Sequence, residues 1–88
     1  MRDSVAREAV DAVAGARNDS YGDPSVNLTR IAKMWGAYLD CDITASDVAK
    51  MMTIVKLSRS RHRYTRDNYV DGVAYLLLAE ETDHGRTD

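Results

Sequence analysis

"TASDVAKMMTIVKLSRSRHRYTRDNYVDGVAYLLLAEE", residues 44–81, decides the fold. In its first half Val48, Met51, Met52, Ile54, Val55 and Leu57 recur at helical spacing and cover more than half a helix circumference. Thr44, with Asp47 three residues on, makes an approximate capping box ahead of them. The pattern predicts a helix from Thr44 to about Ser60, the most buried of the chain. In the second half Val70, Val73, Ala74, Leu77 and Leu78 share one side of a helix that Asp67 caps and that ends near Glu81. Long helices joined by so short a link favour antiparallel packing.

Working outward, "SYGDP" at 20–24 pairs a permissive Gly22 with a helix start. Asp23 is a good cap, and Pro24 occupies the first helical position, where its missing N–H costs nothing. From Pro24 to Leu39 a stripe of Leu28, Ile31, Ala32, Trp35, Tyr38 and Leu39 marks a second helix, with Trp35 and Tyr38 read as core. Asp40 to Ile43 turns the chain. Before the loop, Val5, Ala9, Ala12, Val13 and Ala16 predict a first helix over Ser4 to Ala16, capped by Asp3 or Ser4. Its side chains are small, so it approaches a neighbour closely but buries little. Residues 82–88 read as a flexible tail. The expected fold is all-α: a compact antiparallel four-helix arrangement forming one domain over residues 1–81. Eighty-eight residues lie near the lower limit for a self-sufficient core, so a homo-oligomer is expected.

Composition narrows the function. The chain is 44% apolar and 30% charged, as a globular domain is. No apolar run approaches the roughly 18–20 residues that span a bilayer, and no signal-peptide core follows Met1. A cytoplasmic protein without a membrane partner is expected. One cysteine, Cys41, forms no internal disulfide, and with two distant histidines it offers no soft-metal site. A net charge of −2 argues against binding extended nucleic acid. Within it, Lys56, Arg59, Arg61, Arg63 and Arg66 cluster with no acid among residues 56–66, while residues 39–47 and the end from Glu80 lean acidic. A local positive focus on a negative body suits a small anion.

Arg59 and Arg63 stand three and seven residues beyond Lys56, and Asp67, Asp71 and Tyr75 follow at intervals of four. Facing each other across a short connection, these rows form an ion pair, Lys56 with Asp71, and the wall of a pocket. Arginine forks bind phosphate, and His62 and Tyr64 interleave planes on which a base stacks. Tyr21 has two uses: packing before the cap, or closing over a ligand. The expected binding residues are therefore Tyr21, Lys56, Arg59, His62, Arg63, Asp67 and Asp71. Catalysis has little to work with. Glu8 with Asp11 and Asp67 with Asp71 are the acidic pairs that a magnesium site would need. Cys41, flanked by two aspartates, is a poor nucleophile. No catalytic residue, metal ligand or cofactor is assigned.

Taken together, "YGDP" at 21–24, "RIAKMWGAYL" at 30–39, "ITASDVAKMMTIVKLSR" at 43–59 and "DNYVDGVAYLLLAEE" at 67–81 resemble a group of short, uncharacterised proteins common in tailed phages and prophages. The likeness spans roughly residues 17–81. The last two helices are more loosely similar to phage domains associated with nucleotide modification and to helical MazG-like nucleotide pyrophosphohydrolases. That second likeness implies a role for Asp67 or Asp71 in holding magnesium, although the paired-glutamate helix of those enzymes has no counterpart here. By analogy with small helical phage proteins that sequester cyclic or ADP-ribose-type immune signals, the expected function is binding of a nucleotide or nucleotide-derived molecule. In that reading Lys56, Arg59 and Arg63 neutralise phosphate, Tyr21 or His62 stacks, and Asp67 or Asp71 orients the arginines or accepts from a ribose. The alternatives are a magnesium-dependent pyrophosphohydrolase and a helical module that docks a host protein.

Overall fold

The computed structural model describes residues 2–16 and 22–84. Among these the elements are all helical, with no strand. Helix α1 covers Arg2–Asp11 and passes into a widened, π-type turn over Ala12–Ala16. The regular first helix thus starts earlier and stops sooner than expected. Gly15 leaves helical geometry altogether (φ 170, ψ −20), as the weak helix preference of glycine permits.

Helix α2 is Pro24–Leu39, with the Asp23 carboxylate accepting the Ser25 N–H at 2.9 Å. It stops at Asp40, whose backbone is left-handed (φ 57, ψ 47), and the next N–H, from Cys41, donates back to the Gly36 carbonyl at 3.1 Å. The return is tight enough that a Cβ on Gly36 would lie 2.7 Å from the Cys41 carbonyl oxygen. Helix α3, Ala45–Ser60, opens with a complete capping box: Thr44 and Asp47 each accept the other's backbone N–H at 3.0 Å. Helix α4 is Arg66–His84. Asp67 sits in its first turn instead of at its cap. The helix also runs past Glu81: Thr82 back-bonds to the Leu78 and Ala79 carbonyls, and Asp83 accepts from Ser46 and Lys50 on α3, which ties the last turn to its neighbour. Residues 85–88 lie outside the described residues.

The α3–α4 interface is the most extensive in the molecule. As α3 advances through Ser46, Lys50, Thr53 and Lys56, its partners on α4 are Asp83, Asp83, Gly72 and Asp71. Leu28 and Ala32 of α2, Val48 and Ala49 of α3, and Leu78 and Ala79 of α4 form one buried cluster. Ala9 of α1 with Val70 and Ala74 of α4 forms a second, and Val13 packs against both. The small side chains of α1 do what their size allows: Ala9 is fully buried.

Two packing expectations fail. Trp35 is partly buried on the core, but Tyr38 is 89% exposed and Leu39, the end of the same stripe, is exposed too. Helix α3 buries only one side, leaving Met51, Ile54, Val55 and Leu57 exposed. Its apolar pattern wraps around both faces while α2 and α4 cover one. Among the described residues no helix is long and apolar enough to cross a membrane.

Candidate functional site

The Lys56 ammonium and the Asp71 carboxylate meet at 3.2 Å, with both side chains mostly buried. Asp71 faces more than its cation. With Tyr75, one helical turn on, it borders a cavity of about 470 Å³ between the widened turn, the start of α2 and the middle of α4. The apolar wall includes Val13, Leu28, Ala74 and Leu78. Gly22, Pro24 and Asn27 close the side at the start of α2. Polar groups from α2 and α4 therefore converge on a mostly apolar hollow, the usual build of a small-molecule site. A neighbouring hollow of about 300 Å³ shares Val13, Pro24 and Leu78 and adds Asp23 and Glu81.

The structure separates the residues named from the sequence into groups. Asp71 lines the cavity and Lys56 stands beside it. Arg59 is exposed near the end of α3, and His62 and Arg63 are exposed in the connection that follows, where the His62 N–H donates to the Arg59 carbonyl. Asp67 is exposed in the first turn of α4. Tyr21 lies outside the described residues. Tyr64 instead stacks obliquely with Tyr69, ring centroids 6.0 Å apart.

Among the acidic groups, Glu8 binds the Arg66 guanidinium, which also reaches the Ser4 hydroxyl. That carboxylate hydrogen bond raises the Arg66 pKa further above its ordinary value. Among the described residues no three of His, Cys, Asp and Glu converge as a metal site would need. Cys41 is an exposed thiol.

Of the polar side chains on the cavity, Tyr75 stood in the row expected to wall a pocket but was not assigned to binding, and Asn27 was not singled out at all. The signal for Asn27 was present: it lies four residues before Ile31 on the edge of the apolar stripe, an unusual place for an amide. Arg30 now donates to its side chain at 3.4 Å.

A family model described as a domain of unknown function, DUF6378, matches residues 4–83. The Gene 55 protein of Mycobacterium phage D29 is 36% identical over 81 residues, covering 91% of this chain and 54% of that protein. The Gene 55 protein of Mycobacterium phage L5 is 36% identical over 80 residues, covering 89% of this chain and 51% of that one. The chain spans about half the length of these curated relatives. No solved structure matches.

Proposed function

The chain belongs to the DUF6378 family, and from that premise we propose that it is a phage-type helical protein that binds a nucleotide or nucleotide-derived small molecule in the cavity beside Asp71. The observation that carries the reading is the cavity itself, about 470 Å³ with Asn27, Asp71 and Tyr75 on an apolar wall. That volume falls in the range that holds small organic ligands. The charged side chain on its lining is a carboxylate, which accepts from the amino group of a base or the hydroxyls of a ribose. The nucleoside end therefore enters, and phosphate remains outside, toward Lys56, Arg59 and Arg63. Tyr21, next to Gly22 in the sequence, supplies a stacking face with His62 as its alternative, and Asp67 orients the arginines. Carboxylates already engaged by cations, Asp71 with Lys56 and Glu8 with Arg66, favour retention over turnover. The protein would thus sequester its ligand, in the host cytoplasm. The proposal takes the helices as antiparallel, which the order of bonds between α3 and α4 supports.

Titration calorimetry with nucleosides, their mono-, di- and triphosphates and ADP-ribose tests it. At a hundredfold excess over Kd a bound nucleotide adds about 2.7 kcal/mol of stability, read as a raised Tm. Tyr75→Phe and Asn27→Ala should weaken nucleoside and nucleotide alike by about tenfold each. Arg59→Ala should weaken the nucleotide alone, and Lys33→Ala neither. Silence across the whole series removes the proposal, and pyrophosphate release with magnesium replaces it by hydrolysis.

A further inference from the structure

An apolar face lies on the far side of the α3–α4 pair, away from the cavity. Ser46, Lys50 and Thr53 bond across to Asp83 and Gly72, so they mark one edge of the seam. Leu57 continues their row at helical spacing. On α4 the row through Gly72 and Asp83 also carries Tyr69 and Leu76. Leu57, Tyr69 and Leu76 therefore share one flank, and Ile54 extends it outward. Their exposures are 62% for Ile54, 58% for Leu57, 51% for Leu76 and 47% for Tyr69. Single exposed apolar side chains are ordinary, but a contiguous group marks a contact surface. The buried core of the described residues is correspondingly thin, with five alanines among its nine apolar members.

Charge identifies the occupant. The outward row of α3 reads Asp47, Lys50, Ile54, Leu57, Arg61, at intervals of three and four, the spacing of a helix–helix seam. Arg61, the cap residue one position past the end of α3, still has helical backbone angles (φ −70, ψ −29) and so stands at the end of the row. Ile54 stands midway, seven residues from the acid and seven from the base. Asp42 strengthens the acidic end. Such a row is its own complement when two copies cross in opposite directions about a two-fold axis. The Asp47 capping bond to Thr44 uses Oδ2 and leaves Oδ1 for a guanidinium.

We propose that this face is the interface of a two-fold homodimer in which the α3 helices cross at Ile54 and Asp47 of each copy meets Arg61 of the partner subunit. It stands independently of the cavity: a dimer without a nucleotide, or the reverse, leaves the other intact. Sedimentation equilibrium on the full chain should show a dimer whose dissociation constant rises with salt. Ile54→Glu should raise that constant by about a hundredfold, since two carboxylates then face each other at the axis. Because Ile54 is exposed within one copy, the circular dichroism spectrum should not change. In a Cys41→Ser background, Ile54→Cys should form a disulfide-linked dimer on mild oxidation with diamide. Val26→Cys, at an exposed position on α2, should not. A monomer at every concentration overturns the proposal and assigns the face to a different protein. A dimer indifferent to Ile54→Glu, or cross-linked as readily through Val26→Cys, overturns it too.

Discussion

Lys56 and Asp71 sit with side chains 14% and 16% exposed, so water screens their attraction only in part. Lys56→Met removes the cation and leaves a mostly buried carboxylate short of one partner. Urea titration should record a loss of about 1–3 kcal/mol. Two residues at the end of α2 respond to backbone geometry instead. Gly36→Ala places a methyl 2.7 Å from a backbone oxygen that cannot rotate away, and about 1–3 kcal/mol should be lost. Asp40 holds φ 57, where an L side chain is strained, so Asp40→Gly should gain up to about 1 kcal/mol. Opposite signs four residues apart make thermal melts of this pair a direct check on the turn.

At the scale of elements, α3 depends on its start. Thr44→Ala removes half of the capping box and should cost about 1 kcal/mol, measured as a lower denaturation midpoint at unchanged m-value. Helix α1 depends on a side-chain clamp, because Arg66 holds both Glu8 and Ser4 from the first residue of α4. Arg66→Ala should speed amide exchange through α1 while α3 keeps its protection. The caps of α2 and α3 and the Lys56–Asp71 pair were legible because Asp23-Pro24, Thr44 with Asp47, and rows at intervals of three and four are local signals. The interruption after Asp11 was not, since the apolar spacing continues through Ala12, Val13 and Ala16, and a glycine such as Gly15 permits a break without requiring one.

For the whole molecule α4 is the spine, contributing Leu78 and Ala79 to one buried cluster and Val70 and Ala74 to the other. Leu78 also borders the cavity, so Leu78→Ala should both enlarge that hollow and cost about 2–5 kcal/mol in a thermal melt. The cavity was beyond local reading, because Asn27 and Asp71 come from helices far apart in sequence and meet only through the fold. Arg59 and Arg63 share their spacing with Lys56, yet it is Lys56 that bonds the cavity-lining Asp71, and the helical row cannot extend to Arg63 because α3 stops at Ser60.

That the chain is helical, and where α2 and α3 begin and end, followed from the sequence alone, because caps, proline and apolar period act within about one turn of their own position. Which face of a helix is covered was settled only by the tertiary structure. Tyr38 and the outer row of α3 carry the same apolar pattern as the core, and burial depends on whether another element arrives to cover them.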